Sequence, residues 1–233
     1  MTTAVILAGG LGTRLRDAVP DLPKPMAPVN GRPFLEYLMA YWKSQGVTKY
    51  ILSVGYRHNV ITSHFGDTFT DIPIEYVIEE EPLGTGGGLI LALERAPQDD
   101  NMLVLNGDTW FAANLASLQE FSDRNTADWI FSVFRHQDTS RYMGMKVSEN
   151  GRVLALKHPS NGESCIVNGG VYLLNTGSFR NMYKPGSKLS LEDELLAKAI
   201  DSGKRLFAVE CEGDFIDIGI PADYYRAPEI LEK

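Results

Sequence analysis

Cysteine and histidine are scarce in this chain, which carries two cysteines and four histidines in 233 residues. Cys165 and Cys211 form no CxxC pair, which excludes a disulfide-dense secreted scaffold and favours a reducing, cytoplasmic setting. The histidines show none of the ligand spacings that zinc sites use. We therefore interpret them as ordinary surface or core residues.

Long apolar runs and a positive net charge are also absent. No run approaches the ~18 apolar residues of a membrane-spanning helix, and the first residues lack the pattern of a signal peptide, so we expect no membrane partner. The net charge of −8 argues against nucleic acid as the main partner. A local cluster of cations can still bind an anionic substrate, because local charge governs a site.

Apolar runs alternate with segments of helical periodicity in the first half of the chain. They predict strands at residues 4–8, 49–54, 74–78 and 102–105, and helices at 33–45, 59–65 and 88–96. Such alternation is typical of βαβ units and a parallel sheet. The prolines of residues 20–28 exclude a helix there and predict a loop.

The second half changes character after a predicted helix at 115–125 and a predicted strand at 129–133. Short strands are predicted at 145–147, 153–157 and 167–174, then a helix at 191–202, a strand at 206–211 and a helix at 221–231. No repeat or linker interrupts residues 1–233. We therefore predict one α/β domain, with a Rossmann-like, mostly parallel sheet flanked by helices and an antiparallel, hairpin-rich region.

The first predicted strand runs into a glycine-rich loop, LAGGLGTRL at residues 7–15. Glycine lets backbone N–H groups approach phosphate oxygens, and Arg14, Arg16 and Lys24 add positive charge nearby. The loop lacks the third glycine of a dinucleotide fingerprint, where Leu15 stands, and the Gly-Lys-Ser/Thr of a P-loop. A phosphate-binding loop and a tight turn that merely needs glycine both remain open at this point.

Two aspartates stand out by their surroundings. Asp108 closes the NGD turn at 106–108, and Asp217 lies inside the apolar run FIDIG at 215–219. A carboxylate among isoleucines is costly to bury unpaired, and two hard oxygen ligands suit Mg²⁺. Ligands of open α/β sheets bind at the carboxyl ends of strands, where we expect Asp108. The alternatives are a turn residue for Asp108 and a salt bridge or helix cap for Asp217.

The order of the motifs resembles that of the sugar-1-phosphate nucleotidyltransferases almost from end to end. The likeness rests on LAGGLGTRL, PKPM at 23–26, EPLGTGGG at 81–88, NGD, NGGVY at 168–172, SLE at 190–192 and FIDIG. A closer likeness, to the bacterial D-glycero-α-D-manno-heptose 1-phosphate guanylyltransferases, rests on PKPMAP at 23–28, Arg141-Tyr142, NGGVYLL at 168–174 and FIDIGIP at 215–221. The resemblance implies an enzyme that uses Mg²⁺ to form GDP-heptose and pyrophosphate from GTP and the sugar 1-phosphate.

The resemblance also implies roles for individual residues, with about 1–115 binding the nucleotide and about 130–220 the sugar. It implies nucleotide contacts from Leu7, Ala8, Gly9, Gly10, Gly12, Thr13, Arg14, Glu79, Gly84, Thr85 and Asp108. It implies catalytic roles for Arg14, Lys24 and Asp108, and Mg²⁺ ligation by Asp108 and Asp217. It implies sugar-phosphate contacts from Gly144, Lys157, Asn168, Gly170 and Glu192. Lys157 departs from the family pattern, because LKHP at 156–159 replaces Glu-Lys-Pro, and a solvated lysine is the alternative.

The choice of base and the choice between rival functions depend on fewer residues. Guanine presents two adjacent donors that one carboxylate can accept together, and the three glutamates at 79–81 favour GTP, with a solvated acidic strand end as the alternative. One rival is the same reaction with another NTP and hexose 1-phosphate, such as mannose, glucose or an N-acetylated sugar. A second is a binding protein that senses sugar nucleotides. A third is an NAD-linked oxidoreductase, which is disfavoured because Leu15 stands where a dinucleotide-binding loop has its third glycine. The sequence leaves homo-oligomer formation open.

Overall fold

The computed structural model describes residues 2–10, 12, 15, 19–98, 100–137, 144–158 and 164–232. The strands are β1 (Thr2–Ala8), β2 (Pro28–Val29), β3 (Arg32–Pro33), β4 (Val47–Val54), β5 (Thr68–Phe69), β6 (Ile72–Ile78), β7 (Asn101–Asn106), β8 (Thr109–Phe111), β9 (Trp129–His136), β10 (Gly144–Val147), β11 (Val153–His158), β12 (Cys165–Asn175), β13 (Leu206–Glu210) and β14 (Phe215–Asp217). The α-helices are α1 (Phe34–Ser44), α2 (His58–Phe65), α3 (Gly84–Leu93), α4 (Leu115–Asn125), α5 (Thr176–Phe179), α6 (Ala197–Asp201) and α7 (Pro221–Leu231).

The largest sheet contains eight strands in the order β13-β9-β12-β7-β1-β4-β6-β5. β7, β1, β4 and β6 pair in parallel, and so do β13 and β9. β12 runs antiparallel to both of its neighbours, β7 and β9, and β5 runs antiparallel to β6. The predicted α/β fold with a mostly parallel sheet is confirmed, and its long antiparallel strand lies inside the sheet.

Alternate residues of the inner strands face two apolar cores, as the period of two along a strand requires. Ile6 of β1 packs in the core that includes α1, α2, α4 and α7, whereas Val5 packs in the core that includes α3, α5 and α6. Helices therefore cover both faces of the sheet, and the carboxyl ends of the parallel strands are left for ligands. In the described part of the chain, no helix is long and apolar enough to cross a membrane.

Among the small antiparallel pairs outside the main sheet, that of β10 with β11 belongs to the predicted hairpin-rich region. β10 pairs with β11, where Gly144 lies opposite His158. β8 pairs with β14, where Asp217 lies opposite Thr109. This second pair joins two segments about a hundred residues apart and brings the FIDIG motif beside the NGD turn.

Three predicted elements differ from the structure. The helix predicted at 88–96 is α3, which begins four residues earlier at Gly84. The prediction that residues 20–28 contain no helix is wrong at Lys24–Met26, which form one turn of 3-10 helix. Pro25 is tolerated there, because an N–H group at the start of a helix has no partner within the helix. The helix predicted at 191–202 is π-helical at Leu191–Leu196 and α-helical in α6.

Candidate active site

A cavity of about 480 Å³ opens at the carboxyl edge of the main sheet. β1, β6 and β7 all end at this edge, at Ala8, Ile78 and Asn106. The lining residues are Leu7, Ala8, Gly9, Gly10, Gly12, Lys24, Pro25, Glu79, Pro82, Gly84, Thr85, Gly88, Asn106, Gly107 and Asp108. The predicted nucleotide-binding residues within the described part of the chain thus line one cavity, whereas Thr13 and Arg14 lie outside the described residues.

The NGD turn packs directly against the end of β1. Gly107 N donates to Leu7 O at 3.0 Å, and a Cβ on Gly107 would lie 2.7 Å from that same oxygen. Glycine is therefore required for this close approach. The contact sets Asp108 beside the first glycine-rich turn.

Lys24 forms the charged centre of the cavity together with two aspartates. Its Nζ lies 2.5 Å from Asp108 Oδ2 and 3.7 Å from Asp217 Oδ1. The Lys24 side chain is 8% exposed. Ile218 N donates to Asp108 O at 3.1 Å, and Gly219 N donates to Asp217 Oδ1 at 2.7 Å, so backbone contacts hold both acids. The two aspartates predicted from distant motifs do converge, and the salt-bridge alternative for Asp217 also applies.

Two carboxylates, those of Asp108 and Asp217, meet the ammonium group of Lys24 at this centre. Among the described residues, no cluster of three or more His, Cys, Asp or Glu side chains could hold a metal by itself. Mg²⁺ commonly binds one or two carboxylates and takes its other ligands from water and substrate phosphates. Asp108 and Asp217 fit that kind of site.

Glu79 lies in the cavity wall against Gly9, where two hydrogen bonds fix its carboxylate. Ser53 Oγ donates to Glu79 Oε1 at 3.1 Å, and Leu83 N donates to Oε2 at 3.0 Å. Each carboxylate oxygen can still accept a further hydrogen bond. Glu80 and Glu81 are exposed. Ser53, which the sequence did not single out, thus helps to orient the acid predicted to meet the base.

Three of the predicted sugar-binding residues, Asn168, Gly170 and Glu192, form a second cluster. Asn168 Nδ2 donates to Tyr172 Oη at 2.8 Å and to Glu192 Oε1 at 3.3 Å, and its Oδ1 accepts from Gly170 N at 3.0 Å. A Cβ on Gly170 would lie 2.9 Å from Asn106 Nδ2, so this cluster adjoins the cavity.

Tyr172 is a member of this cluster that the sequence analysis missed. The side chain is fully buried, and burial raises the pKa of its hydroxyl. Its apolar neighbours in NGGVYLL are typical of a core strand, which is why the sequence analysis gave it no functional role. Its position within a motif of the family was the signal that indicated such a role. The neutral hydroxyl holds the amide of Asn168 in a fixed orientation.

Lys157 and Gly144 belong to the β10–β11 hairpin. Lys157 Nζ donates to Asp193 Oδ1 at 2.5 Å, and this hydrogen bond raises the pKa of the exposed lysine. Asp193 follows Glu192 directly in the chain. The structure therefore brings Lys157 near the sugar cluster, although its partner is an acid that the sequence analysis did not consider.

Comparison with known proteins identifies the family of the chain. The family described as Nucleotidyl transferase matches residues 3–233. The chain is a member of the nucleotidyl transferase family. This nucleotidyl transferase is 39% identical to the D-glycero-α-D-manno-heptose 1-phosphate guanylyltransferase of Aneurinibacillus thermoaerophilus over 98% of both chains. It is 40% identical to the enzyme of that name from Campylobacter jejuni subsp. jejuni serotype O:2, over 96% of this chain and 97% of the other.

Solved structures give the same relationship. The nucleotidyl transferase superimposes on HddC from Yersinia pseudotuberculosis with a TM-score of 0.86 and 35% identity, covering 98% of this chain and 99% of HddC. A second structure of HddC, complexed with GMP-PN, matches with a TM-score of 0.85.

Proposed function

We propose that this nucleotidyl transferase transfers GMP from GTP to D-glycero-α-D-manno-heptose 1-phosphate, with release of pyrophosphate and formation of GDP-heptose. The observation that carries the proposal is the convergence of Lys24, Asp108 and Asp217 at the carboxyl edge of the sheet, beside the glycine-rich turn. The identity to two enzymes named for this reaction supports the choice of substrates.

The proposed roles divide the cavity and the cluster beside it, with the nucleotide held by about residues 1–115 and the sugar by about 130–220. The nucleotide would contact Leu7 and Ala8, and its triphosphate would lie against Gly9, Gly10, Gly12, Thr13 and Arg14, with Lys24 and Arg14 neutralising its charge. The base would meet Glu79, Gly84 and Thr85. The sugar phosphate would meet Gly144, Lys157, Asn168, Gly170 and Glu192.

Asp108 and Asp217 would hold Mg²⁺. When bound, the ion would neutralise charge on the phosphate oxygens during transfer. The two carboxylates supply hard oxygen ligands of the kind that Mg²⁺ prefers. Both cysteines are free thiols, which supports a reducing compartment such as the cytoplasm as the place of the reaction.

The reaction requires positioning and charge neutralisation from the protein. A phosphate oxygen of the sugar 1-phosphate forms a bond to the α-phosphorus, and the bond from that phosphorus to the pyrophosphate oxygen breaks in line. The attacking phosphate is already an anion near pH 7, so the step needs no general base. Lys24 stabilises the charge that develops as pyrophosphate leaves.

Guanine is favoured because Glu79 is a pre-oriented acceptor. Its two oxygens are held by Ser53 and Leu83 and keep lone pairs for the adjacent N1–H and N2–H donors of guanine. Uracil and thymine present one donor between two acceptors, and a carboxylate pairs poorly with that pattern.

A substrate panel tests the proposal. We expect GTP with D-glycero-α-D-manno-heptose 1-phosphate to give the highest kcat/KM when four NTPs are combined with heptose, mannose, glucose and N-acetylglucosamine 1-phosphates and pyrophosphate release is followed. A higher kcat/KM for UTP would overturn the assignment of the base, and a higher value for mannose 1-phosphate would overturn that of the sugar. A folded protein without turnover of any pair would favour a sensor of sugar nucleotides.

A further inference from the structure

The start of α3 is joined to the segment that carries Glu192. The carbonyl of Leu189 accepts hydrogen bonds from Gly86 N and Gly87 N, each at 3.1 Å, and Leu189 N donates to Leu83 O at 2.9 Å. The predicted base loop and the predicted sugar segment are therefore one hydrogen-bonded unit.

Two glycines make this close packing feasible. Gly84 has a φ of +75°, and a Cβ on it would lie 2.7 Å from Leu189 O. A Cβ on Gly86 would lie 2.7 Å from Ser190 O. The glycines at the start of α3 thus contribute to the cavity wall and also allow the backbone of residues 189–190 to pack closely. This packing explains why a helix begins here, although glycine has a low helix propensity.

Thr85 supplies the side-chain link of this unit. Its Oγ1 accepts a hydrogen bond from Leu191 N at 3.2 Å. Leu191 is the first residue of the π-helical segment and is buried, and N–H groups at a helix start have no partner within the helix. Ser190 completes the cap, since its Oγ accepts from Asp193 N at 3.2 Å.

Glu192 follows this fixed point by one residue. Its Oε1 accepts from Asn168 Nδ2 at 3.3 Å, within the predicted sugar cluster. Thr85 also lines the nucleotide cavity. Thr85 therefore lines one subsite, and its hydroxyl binds the backbone of the other.

We propose that Thr85 is a positioning residue for the sugar 1-phosphate, acting through Leu191 N and Glu192, and that it couples the nucleotide subsite to the sugar subsite. This inference rests on the function proposed above. It differs from the resemblance to the family, which assigns Thr85 to the base alone.

Thr85→Val tests the inference, because valine keeps the shape of threonine and loses the acceptor. We expect KM for the sugar 1-phosphate to rise about 10-fold, the size of one lost hydrogen bond. KM for the NTP is expected to rise less than KM for the sugar 1-phosphate, because valine keeps the bulk of the side chain at the cavity wall and loses only the hydroxyl that holds Leu191 N. Thr85→Ser keeps the hydroxyl and is expected to restore the sugar KM. The matched control is Thr62→Val, whose hydroxyl bonds only within α2 at Asn59 O among the contacts described.

Three kinetic outcomes would overturn the inference: an NTP KM that rises as much as the sugar KM, two unchanged KM values, or a Thr85→Ser protein that behaves like Thr85→Val. Amide hydrogen exchange gives a readout independent of turnover. Exchange at residues 189–192 is expected to be faster in Thr85→Val and normal in Thr85→Ser, and unchanged exchange in Thr85→Val would also overturn the inference. A wild-type protein without turnover counts against the proposed function. In that case the exchange result still tests whether the Thr85 hydroxyl holds the backbone at Leu191.

Discussion

Replacing Asp108 with asparagine is expected to lower kcat by roughly 10²–10³-fold while the protein stays folded. Asparagine keeps the size of the side chain and removes the negative charge that meets Lys24 Nζ at 2.5 Å. It also replaces one of the two anionic ligands proposed for Mg²⁺ with a neutral amide. The fold is expected to survive, because the side chain of Asp108 is 35% exposed and Asp217 remains 3.7 Å from the ammonium group.

The measurements are kcat from pyrophosphate release and the midpoint of thermal unfolding. Asp71→Asn is the matched control, since Asp71 is an exposed acid paired with Lys43 outside the cavity lining. Near-normal kcat in a folded Asp108→Asn protein would eliminate the proposed charge role of this carboxylate.

Replacing Lys24 with methionine is expected to have an effect of the same size, roughly 10²–10³-fold on kcat. Because the proposed role of the ammonium group is to stabilise charge on the leaving pyrophosphate, we expect its loss to raise the barrier more than it weakens substrate binding. KM for the NTP is therefore expected to change much less than kcat. Stability is also expected to fall, because Asp108 and Asp217 lose their shared partner.

Single-turnover kinetics with the Lys24→Met protein separates binding from chemistry. Lys49→Met is the control, since Lys49 lies on β4 and pairs with Glu75. A folded Lys24→Met protein whose kcat falls by less than about tenfold would contradict a role for Lys24 in transition-state stabilisation.

The main sheet could be predicted from local sequence. The apolar runs that became β1, β4, β6 and β7 are each followed by glycine or polar residues, and strands of that kind are typical of a parallel sheet. Asp108 could be placed at the carboxyl edge because it directly follows one of these runs. Asp217 could be singled out from its apolar neighbours, but its register opposite Thr109 could not be predicted, because that register depends on a pairing between distant segments.

The start of α3 could not be predicted, because glycine lowers helix propensity. The helix forms because the backbone of residues 189–190 packs against Gly84 and Gly86, and tertiary contacts of this kind leave no local signal. The partner of Lys157 was missed for a similar reason, since Asp193 is 36 residues away in the chain.

Locating the divalent cation tests the central claim most directly. Crystals of the wild-type protein with Mn²⁺ and a non-hydrolysable GTP analogue give an anomalous scattering peak at the metal. We predict a peak in contact with carboxylate oxygens of both Asp108 and Asp217 and with phosphate oxygens of the analogue, at about 2.0–2.3 Å. A bound analogue with a peak that touches neither carboxylate, or with no peak, would contradict the account.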